Sequence, residues 1–405
     1  MSLHTLTRYR HCETALRDQA LKQSLYDAGA VVMKDVLLTL HGDEHRMRRQ
    51  AEMRVFRRDF FKYYEHEVFP RTLEETLTPA VAAGRAELIS FGYQVTVNLT
   101  ADFAGIDRPE KSVEETETLL AMVKVFSEGA TLVHSTRDKA AVEAEVQAAL
   151  KDFAVRFQQP SIARREALLK QFAAGALTEE DLPRDVLTML LRNEDKLDLP
   201  EDILLREMAF YMQAGAHSTS NATVHSLHEI FTWAGDDADR WARLENDPLF
   251  VQACVHESLR LHPASPEAWR RPICPAHVGD AKAVDTDDQV VLDLFQANRD
   301  REIFGDDADQ FKPGRPLPKG VLPYGLTFGI GVHTCLGREL DGGVVAGAVT
   351  DPARHQYGIV ASLVRRLLDL GARPDPRDPP RRDPKTSRPN WGHYPVVFTK
   401  RNSAA

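Results

Sequence analysis

Cys335 is the residue best placed to do chemistry. It lies in the run Phe328-Gly329-Ile330-Gly331-Val332-His333-Thr334-Cys335-Leu336-Gly337-Arg338-Glu339-Leu340, a glycine-rich loop predicted to feed a helix that starts near the cysteine. A thiol at a helix N-terminus meets unpaired N–H groups and the positive end of the macrodipole, and both favour its thiolate. Glycines at 329, 331 and 337 let the backbone pass close to a bulky planar group and turn N–H donors toward the sulfur. The residues alone leave several readings open. A cysteine is often a small buried hydrophobe, and a distant partner could make it a Cys/His nucleophile. A dinucleotide loop fits less well, because Thr334 stands where the last glycine of G-x-G-x-x-G belongs. Zinc would need more than His333 and Cys335, and no second pair lies at a suitable spacing.

Three other groupings carry chemistry. Glu257 and Arg260, in Glu257-Ser258-Leu259-Arg260, sit at i and i+3 and can pair on one helix face. His45 and Arg49 lie at i and i+4, so both can reach one anion, and charge-assisted hydrogen bonds suit a carboxylate there. Ala214-Gly215-Ala216-His217-Ser218-Thr219 combines small residues with an imidazole, which titrates near neutrality. The Ser218 hydroxyl adds one donor and two acceptor sites.

The elements that must position these groups are mostly helical. Apolar residues three and four apart recur from Phe56 to Ala154, including Leu119 to Phe126, and Ala140 to Phe157 is another such stretch. Leu204 to Trp233 is about thirty residues without a proline, longer than a typical globular helix. Val290 to Phe295 reads as a short strand, and the Pro/Asp/Arg-rich tract Pro374 to Pro389 as an irregular loop. The expected architecture is therefore mainly α with small β-sheets near the C-terminal end.

Bulk properties narrow the partners. The 405 residues are 43% hydrophobic, carry a net charge of −9 and contain four scattered cysteines. That balance argues against nucleic acid as a ligand, and the cysteines suggest neither a disulfide scaffold nor structural zinc. Met1 to Asp18 lacks the apolar core of a signal peptide, and no run of about 18 apolar residues suggests a membrane span. A cytoplasmic location is the expectation.

Phe-Gly-x-Gly-x-His-x-Cys-x-Gly, matched at Phe328, Gly329, Gly331, His333, Cys335 and Gly337, resembles the haem-binding signature of the cytochrome P450 family. Glu257 and Arg260 match the family's Glu-x-x-Arg motif, which the resemblance makes a buried structural pair completed by Arg315. Ala297-Asn298-Arg299-Asp300 also resembles the family. The resemblance runs from about Thr7 to Phe398 and implies a single haem-thiolate oxygenase domain over 1–405 with the cytochrome P450 fold. It implies haem b (iron protoporphyrin IX) with Cys335 as the metal ligand, whose axial thiolate favours O–O cleavage. His45, Arg49, Arg271 and His333 would contact the haem propionates, with Arg270 adjacent to Arg271. Ala214 and Gly215 would open a kink for dioxygen. Ser218, His217 and Thr219 would form the catalytic stretch, with His217 in place of the family's acid and Ser218 in place of its threonine.

Two departures stand out. His45 comes early, so the fold is expected to be shortened at its N-terminus, without the first helix and much of the first sheet. Gly342-Gly343 and Pro352 interrupt the helix after Cys335, giving an insert at about 341–358 with regular helix resuming near Ile359. That insert should lie where electron donors dock.

The implied function is insertion of one atom of dioxygen into a lipophilic small molecule, by hydroxylation or O-dealkylation. Electrons would come from a ferredoxin or flavodoxin with an NAD(P)H-dependent reductase, docking at Arg46, Arg48 and Arg338. Pocket walls would be Ala214, Ser218, Ala264 to Ala268 and Asn390 to His393. The alternatives are a peroxygenase driven by hydrogen peroxide and a non-catalytic haem or gas-binding protein.

Overall fold

The computed structural model describes residues 2–197 and 199–400; Met1, at the head of the polar opening stretch, lies outside them. Seven helices matter for the site: α1 (Gly42–Glu52), α2 (Leu88–Ala104), α3 (Val113–Ala130), α4 (Glu201–Ala234), α5 (Pro248–Leu261), α6 (Arg338–Asp341) and α7 (Ile359–Asp369). The periodic stretch at 119–126 falls inside α3. The one at 140–157 spans Lys139–Phe153 and the π-turn Ala154–Gln158.

α4 is the axis of the molecule. Glu201 and Asp202 occupy its first turn, where acidic side chains complement the dipole. Leu204 to Ala216 belong to a core cluster shared with α2 and α3, whereas Ala222 to Ala234 belong to a second one shared with α5 and α7. The polar stretch from His217 to Asn221 therefore lies between two apolar bodies. α2 crosses α4 at backbone distance. A Cβ at Gly92 would meet Ser220 Oγ at 2.6 Å, and one at Gly215 would meet Thr100 Oγ1 at 2.8 Å. Thr96 Oγ1 donates to the Ala216 carbonyl at 3.1 Å across the same crossing. The helix runs unbroken through the expected kink, because the small residues are used to admit α2.

The first sheet is more complete than expected. Its strands β1 (Leu3–Leu6), β2 (Leu21–Gln23), β3 (Glu267–Pro272) and β4 (Gln289–Asp293) lie in the order β1-β4-β3-β2. β1 runs parallel to β4, while β3 is antiparallel to both β4 and β2. A third apolar cluster packs against this sheet. The tract Pro374 to Pro389 is irregular apart from a two-residue strand, Arg381–Arg382, which pairs with Trp391–His393 in a C-terminal hairpin.

Past Cys335, α6 lasts four residues and α7 begins at Ile359. The intervening loop, 342–358, is held by buried polar groups. Gln252 Nε2 on α5 donates to the carbonyls of Tyr357 at 2.9 Å and Val344 at 3.1 Å. Glu65 accepts from the amides of Tyr357 and Gly358 at 2.7 and 2.9 Å. His256 Nε2 sits 2.7 Å from the Gly342 carbonyl. Among the described residues, no helix is long and apolar enough to cross a membrane.

Candidate functional site

Glu257 and Arg260 meet as their spacing predicts, one turn apart on α5. Arg260 Nε and Nη2 donate to Glu257 Oε2 and Oε1 at 2.8 and 2.7 Å, and Arg260 is fully buried. Arg315 completes the cluster, with Nη2 at 3.1 Å from Glu257 Oε1. Arg260 Nη1 continues to the carbonyls of Asn298 and Ala308 at 2.6 and 2.7 Å. Asn298 Oδ1 then accepts from Leu326 N at 2.8 Å. Buried charges require such full satisfaction. The result is a continuous tie from α5 to the loop that presents Cys335.

That loop is closed by Cys335 N donating to Phe328 O at 2.9 Å, while Phe328 packs edge-on against Tyr324. Gly331 has φ +77° and no room for a side chain, since a Cβ would lie 2.8 Å from the Leu16 carbonyl. Gly337 is different. Its φ is ordinary, and a Cβ there would sit 4.0 Å from Cys335 Sγ, so this glycine keeps space open beside the sulfur. The expectation of a dipole-stabilised thiolate needs correction. The helix starts three residues later, at Arg338, and is one turn long. Desolvation by the surrounding protein, reinforced by the Asp341 carboxylate, pushes the thiol up to about 11, although the sulfur opens onto an accessible cleft. A cation bound to sulfur is what would turn this group into a thiolate.

Of the residues expected at the propionates, His45, Arg49 and His333 lie together, whereas Arg271 does not. His45 and His333 pack with ring centroids 4.3 Å apart and planes tilted by 49°, and Nε2 of each is buried without a hydrogen-bond partner. Arg49 Nη2 donates to Thr334 O at 2.5 Å. Burial and the neighbouring positive charge of Arg49 lower His45 to about 4; burial, then His45 and Arg270, lower His333 to about 3. Arg271, the expected member, instead pairs with Asp27 at 2.7 Å on an exposed face. Successive residues of β3 point to opposite faces, so the buried Arg270 takes the inner position and burial lowers it to about 10.

On α4 the stretch His217 to Thr219, expected to be catalytic, divides. Neighbouring helical residues point about 100° apart, and each of the three finds a different partner. His217 Nδ1 lies 2.5 Å from the Tyr93 hydroxyl on α2. Ser218 Oγ donates to the Ala214 carbonyl at 2.7 Å. Thr219 Oγ1 donates to Asp341 Oδ1, at the end of α6, at 2.6 Å. His217 and Ser218 share no direct hydrogen bond with each other. Burial, with Arg388 nearby, lowers His217 to about 3, which makes it a neutral imidazole rather than a group titrating near pH 7. Asp341 is raised by burial to about 6 despite its bond from Thr219.

A cavity of about 910 Å³ opens between α2, α3, α4 and the C-terminal hairpin. His217, Asn221 and the expected Asn390 to His393 line it, but Ala214, Ser218 and Cys335 do not. Ala264 and Pro266 line a much smaller void next to it. Arg48 is also misplaced by the sequence reading: it is buried and pairs with Glu207 on α4 at 2.6 Å, so it offers nothing to a docking partner. Arg46 and Arg338 are accessible, each beside an acidic neighbour. Three contributors carry no local sequence signal: Tyr93, Asp341 and Arg388. The first two act through partners more than a hundred positions away.

Residues 227–340 match the family model described as Cytochrome P450. Among curated proteins, the chain is 27% identical over 255 residues to the self-sufficient cytochrome P450 monooxygenase CYP505E3 of Aspergillus terreus, covering 56% of this chain and 23% of that one. It is 29% identical over 216 residues to cytochrome P450-SU2 of Streptomyces griseolus, covering 51% of this chain and 46% of the relative. The chain thus spans less than half the length of either. Among solved structures, CalO2 superposes with a TM-score of 0.74 at 17% identity, over 98% of this chain and 91% of the other. P450BioI in complex with acyl carrier protein ligated to hexadec-9Z-enoic acid gives 0.72 at 21%, over 97% and 92%. The chain has the fold of these solved structures, and its match to the cytochrome P450 family model falls on residues 227–340.

Its residues fit haem b. A cluster of His45, His333, Arg49 and Arg270 with two orphaned buried Nε2 atoms calls for carboxylates, which the propionates provide. The accessible Cys335 sulfur, with open space kept beside it by Gly337, would be free to hold the iron.

Proposed function

We propose that this chain is a haem-thiolate monooxygenase that inserts one atom of dioxygen into a lipophilic small molecule. The observation that carries the reading is Cys335 held on a closed glycine loop and tied through Asn298 to the buried Glu257–Arg260–Arg315 cluster. Bound haem supplies dioxygen activation, with thiolate donation favouring O–O cleavage. Cys335 would hold the iron. His45, His333, Arg49 and Arg270 would hold the propionates. Ser218 keeps unused lone pairs on Oγ while its proton is shared with Ala214 O, so it orders water by accepting a hydrogen bond. Neutral His217, oriented by Tyr93, accepts or donates through Nε2 without carrying charge. Electrons would come from a ferredoxin or flavodoxin with its NAD(P)H-dependent reductase, meeting the cysteine side near Arg46 and Arg338.

A peroxide-driven peroxygenase is the second reading, favoured by the neutral His217 where the family carries an acid. Turnover on hydrogen peroxide and none with reduced ferredoxin would select it. The test of the shared core is the reduced, CO-bound protein. A red-shifted Soret band is expected, lost in Cys335→His with the fold intact, and its absence in the wild type would end both readings.

A further inference from the structure

We propose that the 910 Å³ cavity takes a lipophilic carboxylate, whose acid group is held by the Arg388 guanidinium on the C-terminal hairpin turn. The inference rests on the monooxygenase reading and names its substrate class.

Arg388 is 7% exposed, and both Nε and Nη2 are buried with no hydrogen-bond partner. A guanidinium carries five donors and stays charged in proteins, so burying one without an acceptor is costly. Glu267, whose charge reaches Arg388, makes no ion pair with it and accepts from Trp269 Nε1 at 2.8 Å instead. Of the other arginines buried to this degree near the site, Arg48 is engaged by Glu207, Arg260 and Arg315 by Glu257, and Arg270 donates to the Trp269 carbonyl at 2.9 Å.

The cavity wall has a cationic surplus, with six Lys or Arg side chains against three carboxylates. Those carboxylates are already committed. Glu128 and Glu145 both accept from Arg137, at 2.9 and 2.5 Å, and Asp383 accepts from the Lys385 amide at 2.9 Å. A second donor, Trp391 Nε1, is also buried without a partner on this wall. The apolar lining includes Ile89, Val125 and the Trp391 ring, which suits a hydrocarbon or aromatic body. Carboxylate and guanidinium match as a bidentate pair. Arg388 acts electrostatically on His217 and Tyr93, so an acid held there lies toward the polar stretch of α4. That contact fixes where the acid end of the substrate lies in the cavity.

The test measures binding by calorimetry to the holoenzyme with two matched pairs, dodecanoate against dodecanol and phenylbutyrate against phenylbutanol. At least one acid should bind about tenfold or more tightly than its alcohol, as expected for a hydrogen-bonded charge. Arg388→Gln should erase that preference with little effect on the alcohol. Arg388→Lys, which keeps a charge without the planar fork, should retain part of it. Equal binding within both pairs in the wild type overturns the proposal, as does an undiminished preference in Arg388→Gln. Should Arg388→Gln not fold, an undiminished preference in Arg388→Lys overturns it. The Soret band of the CO complex separates the two claims. A thiolate band without acid preference refutes the carboxylate site alone, whereas its absence refutes the monooxygenase reading.

Discussion

Replacing Glu257 with glutamine tests the tie between the helical core and the cysteine loop. Glu257 Oε1 accepts from Arg260 Nη2 at 2.7 Å, Lys312 N at 3.0 Å, and Arg315 Nη2 and Nε at 3.1 and 3.3 Å. Oε2 accepts from Arg260 Nε at 2.8 Å. A glutamine can place its one oxygen at the Oε1 position, but its NH2 then faces Arg260 Nε, donor against donor. One hydrogen bond is lost, and two buried guanidiniums keep only Asp307 as a counter-charge. Breaking a buried ion pair by removing one partner costs about 3–5 kcal/mol, and an unsatisfied donor belongs to the same range. The expected loss is therefore about 3–5 kcal/mol, a large share of the roughly 5–15 kcal/mol that holds a typical domain together. Urea unfolding followed by tryptophan fluorescence measures it, and haem content on purification reports the same damage at the cysteine loop. A change within about 0.5 kcal/mol, the size of an ordinary surface substitution, would refute the claim that this carboxylate organises the core.

Three further outcomes follow from the geometry. Gln252→Leu removes the donor shared by the loop carbonyls, costs about 1–3 kcal/mol, and should raise amide exchange across 342–358; unchanged exchange would count against the pinning. Asp341→Asn removes a negative charge near Cys335 and should make the reduction potential of the bound haem more positive at pH 8, measured by redox titration. His217 is depressed to about 3 in the fold but titrates near 6.5 when unfolded. The unfolded chain thus binds the extra proton, and stability falls as pH drops below 6.5. By pH 5 the loss from this group is about 1–2 kcal/mol, allowing for its partial exposure. His217→Gln should flatten that slope in pH-dependent unfolding, and a parallel slope would refute the assignment.

The parts legible in the sequence are those whose chemistry sits at short offsets. The Cys335 loop, the one-turn Glu257–Arg260 spacing and the His45–Arg49 pair each declare themselves within a few residues. What stayed hidden depends on parity or on distant partners. Choosing between Arg270 and Arg271 requires knowing which face of β3 turns inward, and adjacent identical residues cannot tell. Arg48 shares a helix with His45 and Arg49, yet its burial is set by Glu207, far along the chain. His217 reads as a titrating base until Tyr93 and the surrounding apolar cores are in place. The sheet was underestimated because β1 and β2 are only four and three residues long. Arg388 sits in a tract whose prolines and charges speak only of irregular backbone.

The loop 342–358 is gripped largely through its own peptide groups, by Gln252, Glu65 and His256. Its outline is therefore specified by residues outside it, while side chains such as Val349, almost fully solvent-facing, contribute nothing to that outline. Shape and outward chemistry are under separate control. Over evolutionary time the exterior of this segment can be rewritten, acidic to basic or polar to greasy, without refolding what lies behind it.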